Sequence, residues 1–214
     1  MDSERISDFI KQYGSEREDI LQRLRKKAEA EGVPIIREET EAFIRAIALL
    51  MKPRDILELG TAVGYSSIML ALTDESHASR IDTVEDWEPR IPLAKANIRE
   101  AGLAERINLI HGDALEVMRD MKKTYDLVFI DAAKGQYPDY LKEAMRLTCT
   151  GSVIIADNIL QDGEIMESKF LVERRDRTIH KRIREFLDMV SKDERLETSI
   201  LPVGDGITFS VRCR

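Results

Sequence analysis

The sequence predicts an α/β domain in which a mainly parallel β-sheet carries helices on both faces, with two extra helices in front of it. Three observations carry this expectation. From Arg54 onward, short apolar runs alternate with longer helical patterns, as a sheet covered on both sides requires. The first run, Asp55 to Leu59, breaks at Gly60 and resumes after Gly64 with Ile68, Met69 and Leu72 at helical spacing, which reads as strand, glycine turn and helix. Acidic residues then close or directly follow successive runs at Glu85, Asp113, Asp131 and Asp157. In a parallel sheet such ends share one edge, the edge where ligands bind.

Residues 1–31 read as helical, with Ile20, Leu21, Leu24 and Ala28 on one stripe, and Gly32-Val33-Pro34 end that helix. A second helix is expected from about Glu38 to Met51, burying Phe43, Ile44, Ile47 and Leu50. Neither belongs to the alternation that follows, so they are expected to form a lid or an oligomer contact, with a homodimer as the assembly. Strands are expected near 55–59, 80–84, 106–110, 126–130 and 152–156, with helices near 64–73, 87–101, 114–122 and 136–147. A long loop at 157–167 leads into an amphipathic helix reaching about Val190, whose stripe is Ile179, Ile183, Phe186, Leu187 and Val190. Two last strands, about 196–202 and 207–212, flank Gly204-Asp205-Gly206 and should form an antiparallel hairpin at the sheet end. There is no repeat, low-complexity tract or linker, so one domain is expected over 1–214, with a helical segment at 1–52 and the core at 53–214.

At 214 residues, 43% hydrophobic and 34% charged, the chain suits one well-buried domain. A net charge of −7 argues against wholesale attraction to nucleic acid but leaves room for a local basic patch. No apolar run approaches the roughly 20 residues of a membrane helix. The start, Met1-Asp2-Ser3-Glu4-Arg5, lacks the apolar core of a signal peptide, so a cytoplasmic location with no membrane partner is expected. Cys149 and Cys213 fit no metal or redox spacing. His77, His111 and His180 form no zinc pattern, and His180, set among arginines, reads as a surface residue.

The glycine turn excludes two ligand classes. A dinucleotide fingerprint needs glycine where Ala62 stands, and a phosphate loop needs Gly-Lys-Ser/Thr, which is absent. A nucleotide-like ligand without a pyrophosphate fits better, with Glu85 placed to accept hydrogen bonds from both hydroxyls of a ribose. The fourth run delivers Asp131-Ala132-Ala133-Lys134 and the fifth delivers Asp157-Asn158. On adjacent parallel strands Asp131, Asp157 and Asn158 would converge as hard oxygen ligands for Mg²⁺ or Mn²⁺, ordinary capping of strand ends being the competing reading. Lys134 is by itself a poor base, with a reference pKa of about 10.4. A neighbouring cation and burial would favour its neutral form, able to take a proton from a substrate hydroxyl.

These residues resemble the class I S-adenosylmethionine-dependent O-methyltransferases of the cation-dependent catechol and caffeoyl-CoA type. The resemblance covers about residues 33–212 and rests on Glu58-Leu-Gly-Thr-Ala-Val-Gly-Tyr-Ser66, Glu85, Gly112-Asp-Ala-Leu115, Asp131-Ala-Ala-Lys134 and Asp157-Asn158. Val33-Pro34, Ile130-Asp-Ala-Ala-Lys-Gly-Gln-Tyr137 and Pro202-Val-Gly-Asp-Gly206 are similar, within that family, to the bacterial tRNA 5-hydroxyuridine methyltransferases. The resemblance implies a Rossmann-like class I methyltransferase fold, seven mostly parallel strands in the order 3-2-1-4-5-7-6 with the last strand antiparallel. It implies that Glu58, Gly60, Thr61 and Ser66 hold the methionine portion of the cofactor, with Ile36 packing nearby. Glu85 would bind the ribose, and Asp113, Ala114 and Leu115 would border the adenine. Asp131, Asp157 and Asn158 would bind Mg²⁺ (or Mn²⁺), with Asp131 also near the methionine amino group, and Lys134 would be the catalytic base. Plant and animal members carry aromatic residues that clamp small substrates around 160–175, whereas Leu160 to Lys169 here is polar.

Both a catechol and a 5-hydroxyuridine present two neighbouring oxygens, so the site chemistry alone does not choose a substrate. From Lys169 to Arg184 there are seven Lys/Arg and only two acids, Glu173 and Asp176. On a helical wheel Arg174, Arg177, Lys181 and Arg184 share one face, flanked by Arg175 and Arg182. That is a solvated helix face or a set of phosphate contacts. With the family likeness, the expected substrate is 5-hydroxyuridine in a tRNA anticodon loop, splayed out to reach the site and methylated to 5-methoxyuridine. A small catechol-like phenol is the alternative, and a cofactor-binding protein without catalysis is disfavoured by the presence of the complete acidic set and Lys134.

Overall fold

The structure, a computed structural model, describes residues 9–10, 12–14, 16–168 and 172–214. Seven strands form one sheet: β1 (Asp55–Leu59), β2 (Arg80–Glu85), β3 (Ile107–His111), β4 (Tyr125–Ile130), β5 (Thr148–Ala156), β6 (Leu196–Leu201) and β7 (Ile207–Arg212). Their spatial order is β3-β2-β1-β4-β5-β7-β6. The first five are parallel, and β7 enters antiparallel between β5 and β6. The helices are α1 (Asp19–Glu31), α2 (Glu38–Met51), α3 (Tyr65–Thr73), α4 (Ile91–Glu100), α5 (Ala114–Asp120), α6 (Tyr137–Arg146) and α7 (Arg177–Lys192).

Alternate residues along each strand face opposite sides, and two cores follow from that period. Ile56, Leu127, Phe129, Val153 and Ile155 face one way, onto α3. Leu57, Leu59, Val128, Ile130 and Ile154 face the other, onto α6 and α7. Helix α3 is buried at eight of its nine positions, because a third layer lies over it. Leu21, Leu24 and Ala28 of α1 and Ile44 and Ala48 of α2 join its core. The two leading helices therefore complete the burial of the first βα unit.

Register sets the ligand edge. Leu59 is level with Val84 and Ile130, Glu85 with His111, and Ile130 with Ala156. The residues that follow these pairs consequently emerge side by side. Gly60 has φ +98°, and a Cβ there would meet the carbonyl oxygen of Asp131 at 2.0 Å. Glycine alone permits that close approach of β1's exit to β4's.

Several boundaries differ from expectation. The segment before α1 is not continuously helical: residues 12–14 and 16–18 are turn or extended, and residues 1–8, 11 and 15 lie outside the described residues. Leu50 is 82% exposed, because α2 turns Ile44 and Ala48 inward instead. Strand β5 starts at Thr148, earlier than expected. The helix expected over 87–101 is a 3-10 turn (Glu88–Arg90) followed by α4, and that over 136–147 is a 3-10 turn (Lys134–Gln136) followed by α6. Part of the 157–167 loop is a 3-10 helix, Gln161–Met166. Helix α7 begins only at Arg177. His180 is not on the surface: it is 2% exposed, and its Nε2 donates to the Glu167 carbonyl at 3.1 Å. Among the described residues no helix is long and apolar enough to cross a membrane.

Candidate active site

A cleft of about 470 Å³ opens at the carboxyl edge of the parallel strands. Small-molecule sites commonly have this size. Its walls are the strap Pro34–Arg37 between α1 and α2, the turn at Gly60 and Ala62, and the ends of β2, β3, β4 and β5. Of the expected site residues, Ile36, Gly60, Glu85, Asp113, Ala114, Asp131, Lys134, Asp157 and Asn158 line this one cleft. Glu58, Thr61, Ser66 and Leu115 do not.

Those four lie behind the lining. Thr61 donates to the Thr83 hydroxyl (2.6 Å), which itself donates to Glu58 Oε2 (2.5 Å). Ser67, at the start of α3, also donates to Glu58. Glu58 is fully buried, and its Oε1 has no hydrogen-bond partner among the described residues. Burial pushes its carboxyl up to about 7, with the Ser66, Ser67 and Thr83 hydroxyls opposing and the Asp131 charge adding to the rise. A β-strand alternates its faces, so Glu58, two residues before Gly60, points into the fold. Leu115 is half-buried against the second core.

Glu85 is aimed by two amides: Ala62 N–H donates to Oε2 at 2.7 Å and Trp87 N–H to Oε1 at 3.0 Å. Each oxygen retains acceptor capacity toward the cleft. Asp113 is also the N-cap of α5, its Oδ1 accepting from Leu115 N (2.9 Å) and Glu116 N (3.0 Å). Capping uses one oxygen and leaves the other.

At the exits of β4 and β5, two acids oppose one another. Burial raises the carboxyl of Asp131, against the pull of Lys134. Burial, then the Asp131 charge, lifts Asp157 to about 7, with Asp205 adding and the Asn158 amide and Lys134 opposing. The frame around Asp157 is rigid: its N–H donates to the Ile130 carbonyl (3.0 Å), and its carbonyl accepts from the buried Tyr137 hydroxyl (2.9 Å). Asn158 sits at φ +55°, in the left-handed region where Asn is among the better-tolerated residues, and donates its N–H to Asp157 Oδ1 (2.7 Å). Two crowded carboxylates beside an amide side chain form a donor set that suits a hard divalent cation, which would relieve their repulsion.

Lys134 opens the 3-10 turn facing these acids. That turn is held from behind by Arg182, whose Nε donates to the Gly135 carbonyl (2.8 Å) while the guanidinium also pairs with Asp139 and Glu185. Arg184 grips the other border of the site, donating to the carbonyls of Ile165 (2.8 and 3.0 Å) and Glu167 (3.2 Å). The basic run is thus not one uniform stripe. Arg174 and Arg175 precede α7, Arg177 donates to the Val172 carbonyl (3.1 Å), and Arg182 and Arg184 fasten loops. Arg174, Arg175, Arg177 and Lys181 are exposed, Arg175 pairing with Glu173 and Asp176. Lys169 lies outside the described residues.

Sequence reasoning missed Arg37, Ala62, Asp86, Arg90, Gln136 and Tyr140, which also line the cleft. Arg90 stacks on the exposed Trp87 ring at 4.5 Å, and Gln136 carries a buried amide oxygen with no partner among the described residues. Glu85 is a local signal for Asp86 and Arg90, which follow it by one and five residues. Ala62 and Gln136 lie inside the motifs Glu58–Ser66 and Ile130–Tyr137 without a role assigned to them, and nothing in the sequence marked Arg37 or Tyr140.

An O-methyltransferase family model matches residues 11–213. The chain belongs to the O-methyltransferase family. It is 33% identical over 168 residues to a catechol O-methyltransferase of Niastella koreensis, covering 76% of this chain and 74% of that protein. It is also 33% identical over 186 residues to caffeoyl-CoA O-methyltransferase 1 of Arabidopsis thaliana, covering 79% and 68%. A candidate caffeoyl-CoA O-methyltransferase from Staphylococcus aureus has the same fold, with TM-score 0.89 and 28% identity over 96% of this chain and 98% of that one. The O-methyltransferase of Bacillus cereus in complex with SAH superposes with TM-score 0.84 at 26% identity, covering 97% of each chain. The order β3-β2-β1-β4-β5-β7-β6 is thus the Rossmann-like sheet of O-methyltransferases.

Proposed function

We propose that this O-methyltransferase uses S-adenosylmethionine and Mg²⁺ to methylate one of two adjacent oxygens, the acceptor being 5-hydroxyuridine in a tRNA anticodon loop. The observation that carries the reading is the convergence, in one cleft, of a doubly anchored Glu85 with Asp131, Asp157, Asn158 and Lys134. Glu85 takes the ribose hydroxyls, Asp113 and Ala114 border the adenine, and the strap with Ile36 covers the methionine portion. S-adenosylmethionine supplies a methyl group on sulfonium, reactive enough that alignment is most of what catalysis requires. Asp131, Asp157 and Asn158 would hold Mg²⁺, which supplies charge neutralisation and orientation of neighbouring oxygens. Lys134, at the mouth of the acidic pair, takes the acceptor's proton. Gly135, clamped by Arg182, keeps that lysine's turn in place.

The tRNA reading is supported by the exposed cations Arg174, Arg175, Arg177 and Lys181 and by the motif likeness at Ile130–Tyr137 and Pro202–Gly206. A small catechol is the second reading, favoured by the relatives named catechol and caffeoyl-CoA O-methyltransferases. Mass spectrometry of nucleosides from tRNA incubated with the protein and S-adenosylmethionine decides: a methylated 5-hydroxyuridine is expected. Its absence, with turnover of a catechol, selects the second reading.

Two expected outcomes arise directly. Glu85→Ala weakens S-adenosylmethionine binding by roughly 1–3 kcal/mol, the range for losing hydrogen bonds to a charged group. Calorimetry giving unchanged affinity in folded protein would remove Glu85 from the site. Arg174→Gln combined with Lys181→Gln raises the KM for tRNA. The same pair flattens the salt dependence of binding, by about 0.7–0.9 in log–log slope for each phosphate that is no longer neutralised. Catechol turnover stays level, since the acidic set is untouched. Wild-type tRNA binding across a salt series would make these cations a solvated surface.

A further inference from the structure

Away from the acidic set, a buried polar cluster joins three helices beside the cleft. Glu41 of α2 is wholly buried, and its carboxylate takes Arg17, Arg25 and the Tyr65 hydroxyl together. Arg25 of α1 donates from Nη2 to Glu41 Oε2 (2.8 Å) and to the backbone carbonyl of Ile36 (3.1 Å), and from Nε to the Tyr65 hydroxyl (3.3 Å). Its guanidinium also lies 4.7 Å from the centre of the Tyr65 ring. Tyr65 in turn donates to Glu41 Oε2 at 2.7 Å. Burial and then the Glu41 carboxylate push the Tyr65 phenol up, so it remains a neutral donor.

Arg25 thereby ties a wall of the cleft to the helix that follows the glycine turn. Ile36 belongs to the strap and lines the cleft itself, while Tyr65 is the first residue of α3, directly after the glycine turn that carries Gly60 and Ala62. Apolar contacts of Leu21, Leu24 and Ala28 already dock α1, and a buried ion pair commonly adds little stability over apolar side chains of the same shape. What such a cluster does well is to admit one geometry, because each hydrogen bond is expensive to leave unmade.

We propose that Arg25, Glu41 and Tyr65 form a latch that fixes the distance between the strap and the glycine turn, and thereby sets the affinity and release rate of the nucleoside cofactor. The inference rests on the reading that S-adenosylmethionine occupies this cleft. Arg25 and Tyr65 are positioning residues: they act through the Ile36 carbonyl and the start of α3.

The test uses the full chain and two variants. Arg25→Met keeps much of the stem and removes the hydrogen bonds, and Tyr65→Phe keeps the ring and removes the hydroxyl. Trp87 is the single tryptophan, 53% exposed at the end of β2, with its amide on Glu85, so its fluorescence reports on cofactor binding. On the order of a tenfold rise in Kd for S-adenosylmethionine is expected for Arg25→Met, about 1.4 kcal/mol. A smaller rise is expected for Tyr65→Phe, with S-adenosylhomocysteine dissociating faster in both. Arg25→Lys restores the charge but not the double reach and falls between wild type and Arg25→Met. A purely structural role would lower the melting temperature and leave Kd and the dissociation rate of the folded protein at wild-type values, and that result overturns the latch. Should Arg25→Met not fold, Tyr65→Phe decides by the same criterion. Glu85→Ala separates the two levels: if it weakens binding while the latch variants do not, the latch fails; if none of the three changes binding, the cofactor reading of the cleft fails.

Discussion

Asp157→Ala is expected to lower methyl transfer by roughly a thousandfold, equivalent to about 4 kcal/mol of transition-state stabilisation. Asp157 is one of three side chains proposed to hold the cation, so its removal should empty that site and remove the charge neutralisation the cation would supply to neighbouring acceptor oxygens. Cofactor affinity should stay close to wild type, because Glu85, the proposed ribose ligand, closes β2, which β1 and β4 separate from β5. The variant should also fold, since the backbone bonds at Asp157, to Ile130 and from Tyr137, do not involve its side chain. Wild-type protein treated with EDTA should lose the same activity and recover it with Mg²⁺. Full turnover in EDTA would sink the cation-dependent mechanism, and loss of cofactor binding in Asp157→Ala would merge two sites that are proposed to be separate.

Glu58→Gln should have an opposite pair of effects. Burial raises the Glu58 carboxyl to about 7, from an ordinary value of 4.5. The folded state therefore binds this proton more tightly than the unfolded chain. Its contribution to stability is fully present below about pH 4.5 and is lost as pH rises toward 7. Above that window the ionised side chain destabilises the fold by roughly 3 kcal/mol at most, by the conversion of about 1.4 kcal/mol per pKa unit. Glutamine carries no such charge, and it can still accept from Ser67 and Thr83. Denaturant titration should find the variant more stable than wild type by roughly 1–3 kcal/mol at pH 8 and about equal at pH 4. S-adenosylmethionine binding should weaken, because a cationic methionine portion is attracted by the charge that burial penalises. Sites that hold stability back for function in this way are common. A variant no more stable at pH 8 than wild type would refute the account of an ionised, poorly compensated Glu58.

The sheet and most of the cleft are legible because the relevant signals are local. Apolar runs of five or six residues ending in Gly60, Glu85, Asp131 or Asp157 state both the strand and what it delivers, and parallel register does the rest. Side-chain direction at the turn is harder to read. Thr61 follows Gly60 directly, yet its hydroxyl goes inward to Thr83 because the backbone at Gly60 has already left the strand conformation. The start of α7 and the burial of His180 escape the sequence for a related reason. A run of arginines looks like solvent-facing surface, but Arg182 and Arg184 spend their guanidinium groups on loop carbonyls that are distant in sequence. The cluster at Arg25, Glu41 and Tyr65 is invisible there, since its members are 16 and 24 residues apart and each alone suits an amphipathic helix.

Strand β7 is made after every other strand of the sheet, yet it lies between β5 and β6. On a ribosome, β1 to β5 can pair as they emerge, but β6 has no neighbour to join until β7 has cleared the exit tunnel. The turn before β7 also supplies the carbonyls of Gly206 and Asp205 to the amides of Ile159 and Leu160, just past the acidic pair. The nascent chain is therefore expected to complete the proposed nucleoside-binding half early and the acidic half late. An arrested chain lacking β7 should already display the first and not the second, a vectorial order of assembly that limited proteolysis of stalled chains can follow.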